Sequence, residues 1–282
     1  MTQVIIGIVG QGFVGSAIKA GLEDFYPIKT YDIDSEKCNS TLEGLVKEST
    51  IIFQCLPTPM KQSGECDLSI VFESANNINN LCSGSEDKIL IIKSTVPPGT
   101  TRIINEKCKN IDVIFSPEFL TEANSFGDFK NQSRIILGGF RPATTVVKMM
   151  FRKAFPQIPI VKTSAEIAET VKYFTNCFLA SKVIFANEMY QICKSLSIDY
   201  DKVTEYALHD NRIGKSHLQV PGPDGDFGFG GHCFPKDLKS IIYEALKNGV
   251  EPTFLKEVNS KNNELRSDRD WERMKGRAIS EE

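Results

Sequence analysis

The sequence has no basic run, no CxxC pair, no clustered histidines and no apolar stretch near the roughly 20 residues a membrane helix needs. Each absence removes a class. Lys and Arg number 33 against 36 Asp and Glu, a net charge of −3, and with no basic block to track a phosphate backbone nucleic acid is not expected as a partner. Three histidines without a partner at ligand spacing argue against a metal site. The eight cysteines, at 38, 55, 66, 82, 108, 177, 193 and 233, are scattered. That scatter fits reduced thiols in a cytoplasmic protein better than a disulfide framework. The early apolar run Val4 to Val9 has no basic leader and runs into Gly10-Gln11-Gly12, so it is a strand and not a signal peptide, and no membrane association is expected. What is left is average globular usage, 41% hydrophobic and 24% charged over 282 residues. That length suits one large domain or two ordinary ones.

Short β-branched runs alternate with helix-length segments through the first half: 4–9, 28–31, 51–56, 89–92, 113–115, 135–137 and 158–161. Strands spaced this way predict right-handed crossovers and a mainly parallel sheet covered on both faces. From Ser164 the pattern changes. Ile167, Val171, Phe174, Phe178, Phe185, Met189, Ile192 and Leu196 recur at helical steps, which predicts one long amphipathic helix of about 45 Å capped by Ser164. Further helices are expected at 200–208 and from about Lys236 to Asn248, with a Gly/Pro-rich loop from 220 to 231 between them. The charged run 264–282, with its lone Trp271, is expected to be a solvated helix or a frayed end.

Gly10-Gln11-Gly12-Phe13-Val14-Gly15 follows the first strand, and Asp32 ends the second. Gly10 suits a tight turn, Gly12 the close approach of a pyrophosphate, and Gly15 close helix packing. Asp32 suits ribose hydroxyls and repels a 2′-phosphate, which favours NAD over NADP. The expected fold is therefore α/β, an N-terminal Rossmann-type parallel sheet over residues 1–163 that binds NAD. An all-helical domain built on the long helix follows over 164–263, then the charged tail 264–282.

Lys172 and Asn176, four apart on the long helix, can both donate to a developing oxyanion, although such a pair alone also fits a solvated face. Gly228-Phe229-Gly230-Gly231-His232-Cys233-Phe234-Pro235-Lys236-Asp237 puts a cysteine at a helix start beside a lysine. A helix N-terminus lowers a thiol pKa, which makes Cys233 a candidate nucleophile, with Asp237 as a candidate proton relay and burial as a structural cysteine the alternative. Glu118 and Glu122, in Ser116 to Ala123, sit where α/β folds bind ligands, Glu118 as a candidate general base and Glu122 as a cofactor contact. Ser94 to Thr101 follows the preceding strand in the same way, and its hydroxyls can reach a nicotinamide or a substrate hydroxyl.

In order from Val4 to about Asn263, these segments resemble the nucleotide-sugar dehydrogenase family, its UDP-glucose 6-dehydrogenases most closely. The resemblance rests on the Gly10 to Gly15 turn with Asp32 and Lys37, Leu56-Pro57-Thr58-Pro59, Ser94 to Gly99, Ser116 to Glu122, Lys172 with Asn176, and Gly228 to Asp237. It implies oxidation of a UDP-sugar alcohol through an aldehyde to a carboxylate, with two NAD reduced. Cys233 would hold the thiohemiacetal and then a thioester, hydrolysed with Glu118 or Asp237 assisting. Lys172 and Asn176 would stabilise the oxyanion, and Thr95 would position a water or the cofactor. Gly10, Gly12, Phe13, Val14, Gly15, Asp32, Lys37, Thr58, Thr95, Glu122 and Lys236 match positions near NAD. Glu118, Phe119, Leu120, Glu122, Lys172, Asn176 and Gly230 match positions along the sugar nucleotide.

Relatives continue into a third, UDP-binding domain; the resemblance implies that another polypeptide supplies it here, that the neighbouring subunit compensates, or that nucleotide binding is weak and the activity altered. Gly231-His232-Cys233 is similar to the branch acting on N-acetylated UDP-sugars, whereas Phe234 to Asp237 and Ser116 to Leu120 match the UDP-glucose branch. A homodimer through the long helix, around Phe178 to Leu196, is also expected. Two alternatives stand beside this reading, a two-electron β-hydroxyacid dehydrogenase and a non-catalytic NAD-binding subunit.

Overall fold

The computed structural model describes residues 3–82 and 87–281, which form two compact units. The first comprises Met1–Thr58 and Asp67–Lys172, the second Pro59–Cys66 and Tyr173–Glu282.

In the first unit seven short strands form one sheet: β1 (Ile6–Val9), β2 (Ile28–Tyr31), β3 (Ile51–Gln54), β4 (Ile89–Ile92), β5 (Asp112–Phe115), β6 (Ile135–Gly138) and β7 (Ile160–Thr163). Their order is β2-β1-β3-β4-β5-β6-β7, with parallel neighbours throughout except β5 and β6, which meet antiparallel at Phe115 and Gly138. Side-chain alternation gives each face its own core. Ile6, Ile8, Ile51, Phe53, Ile89 and Ile91 enter one apolar cluster, while Val9, Ile52, Leu90 and Ile92 enter the other. Helices α1 (Phe13–Leu22), α2 (Leu42–Glu48), α3 (Ser69–Leu81), α4 (Thr100–Lys107), α5 (Ser125–Lys130) and α6 (Ala143–Ala154) connect the strands. Because β1 lies between β2 and β3, the order reverses at β1 and β3, and the crevice at their carboxyl ends is where such sheets take ligands.

Helix α7 (Ala165–Ser195) is the long helix the periodicity predicts, and the Ile167 N–H donates to the Ser164 hydroxyl at 3.3 Å, closing the expected cap. The division into units falls inside it, between Lys172 and Tyr173. Its first two turns pack with the sheet: Ala168 and Val171 join the second apolar cluster, and the buried Glu169 carboxylate accepts the N–H groups of Gly99 and Thr101 at 2.6 and 2.8 Å. Those two amides belong to the start of α4, so Glu169 caps a helix that has no side-chain cap of its own.

The second unit adds α8 (Tyr200–Ala207), α9 (Cys233–Lys247) and α10 (Thr253–Leu265). The sequence reading starts α9 three residues late and does not mark α10. Cys177, Ala180, Ile184, Phe229, Leu238 and Val258 form the main core, and Ala186, Cys193, Tyr200 and Val220 a second. The charged run after Asn263 departs from the expected solvated or frayed end. Arg266 is buried among Asp224, Asp226 and Asp270, and Trp271, 1% exposed, packs with Met60 and Ala278. A cation that finds three carboxylates and an indole that finds an apolar pocket both gain from folding back.

Candidate active site

The candidate residues fall into two groups, one in each unit. In the first unit the glycine turn and Asp32 form one piece. Gly10 has φ 91°, a value that favours glycine, and a Cβ on Gly15 would strike the Gly10 carbonyl oxygen. A Cβ on Gly12 would meet only open space, so the backbone there is accessible to an approaching group. No side chain caps α1, whose first residues are Phe13 and Val14. The Asp32 carboxylate accepts the Gln11 N–H at 2.5 Å and the Asp34 N–H at 3.0 Å, which fastens the acid to the turn. An uncapped helix start, an open glycine and a fixed carboxylate fit the pyrophosphate and ribose of a dinucleotide. Lys37 is exposed and pairs with Asp34 at 3.1 Å, a contact that holds the Lys37 ammonium above its ordinary range.

Beside the turn, the Ser94 hydroxyl donates to the Leu56 carbonyl at 2.7 Å and accepts the Leu56 N–H at 3.0 Å. That single hydroxyl ties the Leu56-Pro57-Thr58 segment to the loop that carries Thr95, and both threonines are buried. Glu122 lies exposed on a short 3-10 turn, Glu122–Asn124.

The second piece of the first unit is built on Glu118. Its carboxylate meets the Lys172 ammonium at 3.0 Å and the Leu120 N–H at 2.6 Å, and Lys172 also donates to the Glu118 carbonyl at 2.8 Å. Burial by itself raises the carboxyl pKa. Lys172, the Leu120 amide and Lys93 outweigh burial and hold Glu118 below its ordinary range, so it is ionised. The Lys172 and Glu118 side chains are 5% and 9% exposed, which replaces the solvated-face alternative with a buried ion pair. Phe119 lies between cations, with the Arg134 guanidinium 4.0 Å and the Lys172 nitrogen 5.6 Å from its ring centre.

Two buried groups escaped the sequence reading. Lys93, after β4, donates to the Pro117 carbonyl at 3.0 Å and to the Ser116 hydroxyl at 3.4 Å. Burial pushes its ammonium down to about 8, with Cys55 and Glu118 opposing the shift and Lys172 adding to it. Lys93 and Lys172 thus grip adjacent carbonyls of the Glu118 loop from two different elements. Glu169, described above, fastens the loop that begins at Thr95. A lysine or a glutamate at these positions has no local motif to announce it.

In the second unit Cys233 is a half-buried cysteine, in no disulfide, at the first residue of α9. Asp237, one turn on and 1% exposed, accepts the Asn176 amide at 2.6 Å and the Lys236 ammonium at 2.5 Å. Burial alone lowers the Lys236 pKa; Asp237, with Cys66 and Cys233, outweighs it and raises the ammonium's pKa, so Lys236 is a fixed positive charge beside the thiol. Asn176 is buried at 6% exposure, again in place of the solvated-face alternative. A Cβ on Gly230 would displace the Arg266 guanidinium and the Asp270 carboxylate.

Comparison with known proteins gives two family matches along the chain. The UDP-glucose/GDP-mannose dehydrogenase family, NAD binding domain, matches residues 33–155, and the same family's central domain matches residues 166–264. The UDP-glucose 6-dehydrogenase TuaD of Bacillus subtilis is 32% identical over 78% of this chain and 48% of its own length. The UDP-glucose 6-dehydrogenase AglM of Haloferax volcanii is 30% identical over 89% of this chain and 67% of its own. The structure of a UDP-glucose dehydrogenase from Pyrobaculum islandicum superposes with a TM-score of 0.82 at 26% identity, covering 93% of this chain and 68% of that one. The chain thus spans about half to two thirds of the length of these relatives.

Proposed function

Because the chain belongs to the UDP-glucose/GDP-mannose dehydrogenase family, we propose that it oxidises the primary alcohol of a nucleotide sugar to a carboxylate with NAD, and that the sugar nucleotide is UDP-glucose. The observation that carries this reading is Cys233, a thiol heading a helix with the buried Lys236 ammonium in electrostatic reach. A two-electron dehydrogenase has no step for such a thiol, whereas oxidation past the aldehyde needs a nucleophile to hold it.

The Gly10 to Gly15 turn and Asp32 would hold NAD, and two NAD molecules bound in turn would each supply an acceptor for one hydride. The alcohol loses a proton and a hydride to become an aldehyde. The Cys233 sulfur then bonds to the aldehyde carbon, and its oxygen, protonated, becomes the hydroxyl of a thiohemiacetal. Loss of that proton and a second hydride leaves a thioester on Cys233. Water breaks the C–S bond, which releases the carboxylate and restores the thiol. Lys172 and Asn176 are assigned to the negative oxygen at each addition, as donors already buried and oriented by Glu118 and Asp237. Glu118, held ionised, and Asp237 are the bases assigned to the water. Thr95, Thr58, Lys37, Glu122 and Lys236 are assigned to the cofactor side, and Phe119, Leu120 and Gly230 to the sugar nucleotide.

The test is stoichiometry. Purified protein with NAD and UDP-glucose is expected to form two NADH per sugar consumed, and Cys233→Ser to release no uronate while still binding NAD by calorimetry. Uronate release unchanged in Cys233→Ser removes the thiol from the reaction, and turnover with GDP-mannose or an N-acetylated UDP-sugar alone reassigns the substrate.

We also propose that a second copy of the chain covers the outward face of α7. Ile167, Phe174, Phe178, Phe185, Ile192 and Leu196 are all about half exposed or more, and the Phe174 and Phe178 rings stack at 6.3 Å. So large an apolar stripe favours association. Light scattering at assay concentration should give the mass of a dimer; a monomer there ends the proposal.

A further inference from the structure

The glycine-rich loop ahead of Cys233 is held by side chains that lie past the matched family domain, which ends at residue 264. The Gly231 N–H, two residues before the thiol, donates to both Asp270 oxygens at 3.1 and 3.0 Å. Asp270 is in turn 3.7 Å from the Arg266 guanidinium, which is 2.5 Å from Asp224 and 3.6 Å from Asp226 at the far end of the same loop. Arg266 also donates to the carbonyls of Asp268 at 2.9 Å and Phe227 at 3.5 Å, and its side chain is 4% exposed. Asp226 receives the Ser267 hydroxyl at 2.8 Å and the Ser267 and Asp268 amides at 3.2 and 3.1 Å. One buried cation therefore joins both ends of the loop to the segment 266–270.

That segment is itself anchored. Trp271 is buried with Met60 and Ala278, the Met60 N–H donates to the Ala278 carbonyl at 2.8 Å, and the Ser280 N–H donates to the Met60 carbonyl at 2.8 Å. The strap is thus fixed on both sides of Asp270, and its charged residues, which looked like a solvated tail, have turned inward.

We propose that Arg266 and Asp270 are positioning residues for the nucleophile: they form a clamp that fixes the Gly230-Gly231 backbone and, through it, the place of Cys233 at the head of α9. The clamp rests on the reading of Cys233 as the nucleophile. A loose loop leaves the thiol chemically intact but misplaced, and a displacement of about 1 Å can cost about a hundredfold in rate.

Two readouts that need no turnover test the clamp. In Asp270→Ala, hydrogen exchange of the peptide holding Gly231 and alkylation of Cys233 by iodoacetamide, followed by mass spectrometry, are each expected to speed up about tenfold. Asp270→Asn keeps an acceptor for the Gly231 amide and loses the charge facing Arg266, so it should fall between. If the wild type turns over, kcat in Asp270→Ala should fall about tenfold with NAD affinity unchanged. Trp271→Phe loosens the anchor's packing and should lower the melting temperature, with Gly231 exchange and Cys233 alkylation rising less than in Asp270→Ala. Wild-type exchange and alkylation in folded Asp270→Ala overturn the clamp. If that variant does not fold, Asp270→Asn with Arg266→Lys decides in the same way. A wild type that oxidises no nucleotide sugar ends the functional reading and leaves these two readouts still able to judge the clamp.

Discussion

The molecule carries two glycine-rich loops, one in each unit, and they are shaped by opposite means. The turn from Gly10 to Gly15 is made mostly by its own residues, the backbone of Gly10 and the contact of Gly15 with the Gly10 carbonyl, with the Cys55 carbonyl against Gly10 and Asp32, just past β2, as its neighbours. The loop from Gly222 to Gly231 is shaped from afar. Asn187 accepts the Gly228 amide at 3.1 Å, Asn262 accepts the Phe229 amide at 2.7 Å and returns a bond to its carbonyl at 3.0 Å, and Arg266 and Asp270 hold the rest. A loop made locally should break only from within, whereas one held at a distance should break at its holders.

The largest effect expected from that contrast is at Gly15. Gly15→Val forces β-branched bulk against the Gly10 carbonyl, so the turn must open at a cost of about 3 kcal/mol or more and NAD binding by calorimetry should vanish. Retained NAD affinity would mean that the turn is not self-made. Asn262→Ala comes next. It removes two buried hydrogen bonds and leaves the Phe229 amide and carbonyl without partners, for a loss of about 2 to 4 kcal/mol in denaturant unfolding. Hydrogen exchange should rise across residues 222–231 and stay unchanged at 10–15.

The smallest effect is an acid one. Burial raises the carboxyls of Asp224 and Asp226, but hydrogen bonds from Arg266 in the first case and from Asp268 and Ser267 in the second leave both below their ordinary range. A carboxyl depressed by folding contributes fully above its unfolded pKa of about 3.9, and the contribution is lost as pH falls through the lower folded value. Exchange in 222–231 should therefore rise below about pH 4 before that in the Gly10 turn does, and simultaneous loosening of both loops would erase the distinction.

The same contrast explains what could be read from the sequence. The seven strands, the glycine turn with Asp32, α7 with its Ser164 cap, and Cys233 at a helix start each depend on residues close in sequence, and each was legible. Glu169 was not, because its partners Gly99 and Thr101 lie about 70 residues back; nor was Lys93, whose carbonyl partner is on another strand's exit. Arg266 and Trp271 were misread for a related reason. Charge density suggests solvent until the folded chain supplies three aspartates and an apolar pocket. The apolar stripe of α7 was seen, but most of it points outward; Val171 and Met189 turn inward, and the inward side also carries Glu169, Lys172, Asn176 and Asn187.

That inward side has a consequence for how the helix can vary. Glu169 grips the start of α4 and Lys172, three residues on, grips the Glu118 loop, so the two lie within one turn of each other on one face. Adding or deleting a single residue between them would rotate one grip by about 100° against the other. The length of α7 between these two points is a gauge that insertions and deletions cannot change without releasing one of the two loops.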